Sequence, residues 1–267
     1  MFSSHDLELV ARSFVADVDY HPELGSTNDR ALELARCESV PHPLLVLAAR
    51  QSRGRGRGTN QWWAADGALT FSVLFDCQDF SLPQFLLPQL SLWTGLAVRD
   101  ALEDVCEAED ASAAFTVKWP NDIYLDGRKV CGVLSESVST YPGRVVVGIG
   151  INVNNRFANS SEPVPEDLQI TAASLREVVG RELSVVDVLC TVLDQLQRRW
   201  IECASGVTDL QAAWKPHCYL RGRRVTWQTA QAEFIGTCQG LNEDGALVLE
   251  ENGVCHVCVG GTIVHVQ

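Results

Sequence analysis

Lys118 to Ser137 reads KWPNDIYLDGRKVCGVLSES. Asp122 to Leu125 and Lys129 to Val138 carry strand-forming residues on either side of Asp126-Gly127, a pair suited to a tight hairpin turn. A further strand-like run precedes them, Thr116 to Trp119 across Pro120-Asn121, and another follows, Arg144 to Val153 across Pro142-Gly143. Consecutive strands joined by such short turns favour antiparallel pairing, so this stretch predicts the middle of a largely antiparallel sheet.

Working outward, Ser26 or Thr27 caps a helix through NDRALELARC, and Leu44 to Ala49 forms a buried strand. Ala68 to Phe75 is a strand, and Pro88 to Glu107 a helix with Trp93, Leu96, Ala97, Ala101 and Val105 at helical spacing. The polar, Pro/Ser-rich stretch from Arg156 to Ile170 reads as a surface loop. Helices follow at Ser184 to Cys203 and about Thr208 to Trp214, until Pro216 interrupts the pattern. Five short strands then occur, at Arg223–Gln228, Glu233–Gln239, Ala246–Glu250, Val254–Val259 and Thr262–Val266, with hairpin pairs Asp244-Gly245 and Asn252-Gly253. They predict a small barrel. The expected division is residues 1–216 and 217–267.

The composition, 46% apolar and 21% charged in 267 residues, is that of a globular chain with no apolar run of membrane-spanning length. Asp6, Glu8, Asp17 and Asp19 near the start argue against a signal or transit peptide, which makes the cytoplasm the expected location. Ten cysteines scattered through such a chain read as reduced thiols. Cys255-His256-Val257-Cys258 lacks the second ligand pair of a zinc site and is read as cysteines packed in the core.

A net charge of -13 disfavours non-specific nucleic-acid binding, yet no acidic residue occurs between Ser39 and Ala65. Within that window lies RQSRGRGRGTNQWW, Arg50 to Trp63. Alternating glycines let backbone amides approach an anion, and interleaved arginines can fork onto phosphate oxygens. The run satisfies neither GxxxxGK[ST] nor GxGxxG, and taken alone it also fits an RNA-binding tail. Its interior position, between an apolar strand and Trp62-Trp63, opposes the tail reading.

Lys118, Asp122 and Lys129 form either an ion-pair cluster or a site for an acidic ligand beside a carboxylate able to orient an amine. In VVGIGINVNN, Val146 to Asn155, Gly148 and Gly150 thin a strand so that something can pack on its backbone, and Asn152 could meet a nucleobase edge; a plain core strand fits as well. GSTND, Gly25 to Asp29, is at minimum a helix cap.

In this order, and followed by a small barrel, GSTND, ARQSRGRGRGTNQWW, KWPNDIYLDGRKVCGVLSE and GIGINVN closely resemble the catalytic region of the biotin protein ligases, from Gly25 to the C-terminus. The resemblance implies an α+β fold: a central mixed, largely antiparallel sheet flanked by helices, as in class II synthetases, with a small C-terminal SH3-like β-barrel. It implies formation of biotinyl-5'-AMP from biotin and ATP with Mg2+, and transfer to a lysine of a biotin carboxyl carrier domain. Ser26, Thr27, Asn28, Gln51 and Gly132 would hold biotin, with Gly54 to Gly58 wrapping the activated carboxylate and ordering over ligand. Arg55, Gly56 and Arg57 would meet the phosphate, Lys129 would reach the biotin carboxylate or the adenylate phosphate, Trp62 would cover the adenine and Asn152 recognise it. Lys118 and Asp122 would stand near the acceptor amine, Asp122 as base or orienting group; no metal-ligand set is implied. The 24 residues before Gly25 are too few for the DNA-binding domain of many bacterial relatives, so repressor activity is not expected. The GRGRGTN spacing is closer to eukaryotic-type members than to the bacterial GRGRRG form. Competing readings are a lipoate or octanoate ligase or transferase, a non-catalytic biotin sensor, and an RNA-binding protein.

Overall fold

The paired glycine-containing turns set the register of both sheets. In the computed structural model, which describes residues 2–64, 66–157 and 164–267, Asp126 and Gly127 both adopt positive φ, 48° and 81°. That is the conformation a two-residue hairpin demands. Asn252 and Gly253 repeat it in the second sheet, at 53° and 82°.

The chain opens with α1 (Ser4–Val10) and β1 (Asp17–His21), then α2 (Thr27–Leu34), β2 (Leu44–Ala48) and β3 (Ala68–Asp76). After α3 (Leu90–Ala108) come β4 (Phe115–Lys118), β5 (Asp122–Leu125), β6 (Arg128–Ser137) and β7 (Arg144–Asn152). Four helices follow: α4 (Glu166–Thr171), α5 (Leu175–Val179), α6 (Val185–Ser205) and α7 (Leu210–Trp214). The last elements are β8 (Arg224–Gln228), β9 (Glu233–Leu241), β10 (Leu247–Glu251), β11 (Val254–Cys258) and β12 (Thr262–Val266).

The first seven strands form one mixed sheet in the order β1-β2-β3-β7-β6-β5-β4. Only β1 and β2 are parallel; every other neighbouring pair is antiparallel. The last five form an antiparallel sheet ordered β11-β10-β9-β8-β12, the strands of a small SH3-like domain. The α+β architecture therefore stands as the motifs imply.

Helices α3 and α6 cover one face of the large sheet. The five α3 residues at helical spacing are all buried, and Trp200 of α6 lies 4.7 Å from Phe75 of β3, with its indole N–H donated to Thr94 of α3. Burying side chains of this size contributes about 1.5–3 kcal/mol each. Asp100 of α3 accepts from both Arg198 and Arg199 of α6, so the two helices are also joined by charge. On the opposite face α2 packs through Ala31 and Ala35 against Leu44, Val46, Leu74 and Val146. It covers only the β2–β3–β7 side and leaves the β5–β6 side to the functional groups.

Three local expectations change. The predicted loop from Arg156 to Ile170 contains the start of α4, because Pro165 precedes two acidic residues well placed in a first helical turn; residues 158–163 of that stretch lie outside the described ones. Pro88 sits in a 3-10 turn, Gln84–Gln89, and the α-helix proper starts at Leu90. Of the cysteines read as core-packed, Cys258 is buried but Cys255 is exposed, because neighbouring positions of β11 alternate and the strand is an edge.

The C-terminal sheet is fastened to the large one at the KWPND turn. The indole N–H of Trp119 donates to the Gly245 carbonyl at 3.1 Å, and the Tyr219 N–H to the Val117 carbonyl at 2.9 Å.

Candidate active site

Antiparallel register assembles the site. One row across the sheet runs Lys118, Asp122, Gly132, Gly150, Thr70, and the next runs Leu134, Gly148, Ser72. Three glycines thus fall side by side on the face that carries α2, where the first turn of that helix ends over β7. A Cβ on Gly150 would come within 2.4 Å of the Trp62 ring, and one on Gly148 within 1.8 Å of Asn28 Oδ1. Both lie well inside van der Waals contact, so the backbone itself is the floor on which Trp62 and Asn28 rest.

At one end of this floor stands the first turn of α2. Ser26 caps it, accepting from the Asp29 N–H. The Thr27 N–H donates to Gln51 Oε1 at 2.6 Å, and Ser72 Oγ donates to Asn28 Oδ1 at 2.7 Å while lying 2.8 Å from Thr27 Oγ1. Asn28 Nδ2 donates to Glu136 Oε2 at 2.9 Å. Ser26, Thr27 and Asn28 are each 4% exposed. These buried hydroxyl and amide groups make a polar recess with its hydrogen bonds fixed in advance.

The Gly/Arg segment is itself a small hairpin, with Arg55 bridged to Gln61, the Gly56 N–H on the Asn60 carbonyl and the Trp62 N–H on the Gly54 carbonyl. A Cβ at Gly54 would meet the Trp62 carbonyl oxygen at 2.4 Å, so this position requires glycine. The segment is therefore a turn with its own backbone hydrogen bonds rather than an open loop.

Its two inner arginines face different partners. Arg55 forks onto Glu136 and also reaches Asp29, and the Glu136 hydrogen bond is the foremost cause that holds its proton more tightly than usual. Arg57 turns to the C-terminal sheet, where its Nη2 donates to Thr262 of β12 at 3.1 Å, and burial lowers its proton affinity, opposed by Asp122. Lys129 Nζ lies 2.6 Å from Asp122 Oδ1. That oxygen has no hydrogen bond of acceptable angle, so the contact is ionic. Lys118 donates to the Tyr124 hydroxyl at 3.2 Å, and burial is the leading cause that lowers its proton affinity.

These groups surround a cavity of about 130 Å³, which Thr262 and Ile263 of the C-terminal sheet also line. Of the residues given a role from the motifs, all line it except Gly54, beneath Trp62, Gly58, on the outer side of the hairpin, and Asn152. Asn152 lines a neighbouring cavity of about 100 Å³ with Lys129, Leu168 and Ala172. Trp62 walls both, and its indole N–H is buried without a protein acceptor. Among the described residues no cluster of three His, Cys, Asp or Glu side chains is arranged to hold a metal ion.

Sequence reasoning missed Ser72, Asp29, Glu136 and Thr262. Glu136 had a readable signal: alternation along β6 puts it on the face of Gly132 and Leu134. Thr262 had none, since only the docking of the second sheet brings it to Arg57.

Comparison with known proteins follows this geometry. Residues 21–154 match the Biotin/lipoate A/B protein ligase family. The bifunctional ligase/repressor BirA of Bacillus subtilis is 31% identical over 236 residues, spanning 87% of this chain and 69% of that protein. The biotin–acetyl-CoA-carboxylase ligase of Paracoccus denitrificans is 31% identical over 225 residues, 84% of this chain and 90% of the relative. Among solved structures, the biotin protein ligase of Aquifex aeolicus in complex with biotin and ATP superposes with a TM-score of 0.77 at 28% identity, covering 93% of this chain and 97% of that one. Together with the glycine floor and the cation-lined cavity, these matches establish that the chain belongs to the biotin/lipoate A/B protein ligase family.

Proposed function

We propose that this protein is an ATP-dependent biotin protein ligase, biotin–[biotin carboxyl carrier protein] ligase by reaction. It joins biotin to ATP as biotinyl-5'-AMP and then passes the biotinyl group to a lysine of a biotin carboxyl carrier domain of a biotin-dependent carboxylase. The observation that carries this reading is the union, in one cavity, of a preorganised hydroxyl and amide recess with Arg57, Lys118 and Lys129. A ureido ring needs the first and two anionic reactants need the second.

In this reading Ser26, Thr27, Asn28 and Gln51 hold the ureido group, Gly132 floors the bicycle, and Trp62, resting on Gly150, walls it. A biotin carboxylate oxygen attacks the α-phosphorus of ATP, and pyrophosphate leaves. Arg57 and Lys129 stabilise the charge that grows on the phosphoryl oxygens. The cavity of Asn152 and Trp62 takes the adenine. The acceptor lysine amine then attacks the acyl carbon beside Lys118 and Asp122, AMP leaves, and Asp122 orients the amine or takes up its proton. Magnesium would come with the ATP phosphates, and among the described residues Asp122 is the carboxylate that lines the cavity.

A lipoate or octanoate ligase would need an apolar slot where this chain places Thr27, Asn28 and Gln51. We place the boundary between catalytic and C-terminal units near Pro216, supported by the two sheets falling on either side of it. Ten free cysteines suit a reducing compartment, and we place the enzyme in the cytoplasm; among the described residues no helix is long and apolar enough to cross a membrane. Nucleic acid has no part in the reading, given the charge of -13.

The test is to incubate the protein with biotin, ATP-magnesium and a carrier domain, then measure pyrophosphate and the mass of the carrier. Biotinylated carrier is expected. Lipoylation in a parallel reaction, or pyrophosphate without carrier modification, would reject the assignment.

A further inference from the structure

Glu136 belongs to none of the groups that touch the reacting atoms, yet two parts of the site meet on it. Its Oε2 accepts from Asn28 Nδ2 at 2.9 Å and from Arg55 Nη1 at 3.1 Å, and its Oε1 accepts from Arg55 Nη2 at 2.8 Å. The same Arg55 Nη1 donates to Asp29 at 2.7 Å, the residue after Asn28. One oxygen is therefore shared between the first turn of α2 and the Gly/Arg hairpin.

Resting on the ligase reading, we propose that Glu136 is a positioning residue that couples the seating of biotin against Thr27 and Asn28 to the placement of the Gly/Arg hairpin over the activated carboxylate. Asn28 has no freedom of its own: Ser72 holds its oxygen, Glu136 holds its nitrogen, and Gly148 leaves just the room its amide occupies. A ligand that presses on Asn28 moves the Glu136 carboxylate, and a forked arginine follows a carboxylate because both hydrogen bonds depend on its plane. Arg55 is thereby committed to two carboxylates, which makes it the anchor of the hairpin and leaves phosphate binding to Arg57 and Lys129. Asp29 alone cannot supply the coupling, since it accepts from a single nitrogen of Arg55, while the Asn28 side chain is hydrogen-bonded to Leu134, Glu136 and Ser72.

The substitution Glu136→Gln keeps shape and removes the charge, and its amide presents a donor toward Asn28 or Arg55. Limited trypsinolysis of the full chain, followed by mass spectrometry, reads the bonds after Arg55 and Arg57. Steady-state pyrophosphate release reads KM for biotin and kcat separately. Loss of one charge-assisted hydrogen bond corresponds to about a tenfold effect. We expect ligand-free cleavage to rise about tenfold and KM for biotin to rise by a similar factor. A carboxylate that only stiffens the fold would lower the active fraction, and so kcat, with KM unmoved; that result, or unchanged cleavage, overturns the proposal.

Should Glu136→Gln fail to fold, Arg55→Gln leaves the Asn28–Glu136 bond intact and decides the matter. It must still raise KM for biotin, and an unchanged KM shows that no coupling exists. Absence of any biotin-dependent pyrophosphate from the unmodified protein would fell the ligase reading itself, while the ligand-free cleavage comparison still decides whether Glu136 anchors the hairpin.

Discussion

Lys129 Nζ rests 2.6 Å from Asp122 Oδ1, across the bulge that shifts the β5–β6 register between Ile123 and Tyr124. The ion pair joins the group expected to meet the phosphate to the group expected to meet the acceptor amine. Replacing Lys129→Ala should lower pyrophosphate release about 10²–10³-fold, the scale seen on removing one preorganised stabiliser of transition-state charge. Circular dichroism should show the fold retained. Wild-type rates in the variant would remove Lys129 from the chemistry.

The partner substitution separates the two half-reactions. With Asp122→Asn, transfer to the carrier should slow more than formation of the adenylate, measured by single-turnover quench of preformed biotinyl-5'-AMP against pyrophosphate release. Equal slowing of both steps would make the carboxylate a mere brace for Lys129.

Gly148→Ala would drive a methyl group into the Asn28 amide, 1.8 Å from the ideal Cβ position. Overpacking of this kind costs about 1–3 kcal/mol. A thermal melt should show a clear loss of stability, and isothermal titration a weakened biotin affinity. A variant with unchanged melting and affinity would mean that Asn28 can stand elsewhere at no cost.

Thr262→Val removes the only side-chain acceptor that Arg57 has from the C-terminal sheet among the described residues. The expected result is a KM for ATP raised about two- to tenfold, from the modest worth of one hydrogen bond, with KM for biotin unaltered. Kinetics with each substrate varied in turn decide it; an equal rise in both constants would place Thr262 outside the phosphate end of the cavity.

Cys218 sits where the chain leaves the β4 edge for the second sheet, paired by a backbone bridge to Val117. Its thiol is held below the ordinary range, chiefly by a hydrogen bond from Cys238, which is itself pushed up. Thiolate therefore forms at lower pH than for an ordinary thiol, so alkylation of Cys218, followed residue by residue in the mass spectrometer, should rise with a midpoint below that of an ordinary thiol. Cys238→Ala should move the midpoint up toward the ordinary thiol value of about 8.5. A midpoint that stays put would dismiss Cys238 as the cause.

What the sequence disclosed and what it withheld follow the range of the forces involved. Hairpins at Asp126-Gly127 and Asn252-Gly253 were legible because two adjacent residues dictate them. β1, DVDYH, was not, because its charged residues mask the apolar alternation and its only sheet partner, β2, is parallel and comes later in the chain. Most of the residues that line the cavity were readable from their motifs, Ser72, Glu136 and Thr262 were not, and the division of labour among them was not either. Arg55 and Arg57 are the same residue type two positions apart, and only β6 and β12, remote in sequence, send one to a carboxylate and the other to a hydroxyl. That Gly132 faces Gly150 likewise depends on register, which no single motif contains.

Because the pocket's base is peptide planes rather than side chains, it has no rotamers to rearrange. A bicyclic guest would meet a surface of the same shape warm or cold, so selectivity among ring analogues should hold nearly constant with temperature, while discrimination at the end built from long arginine and lysine side chains should not.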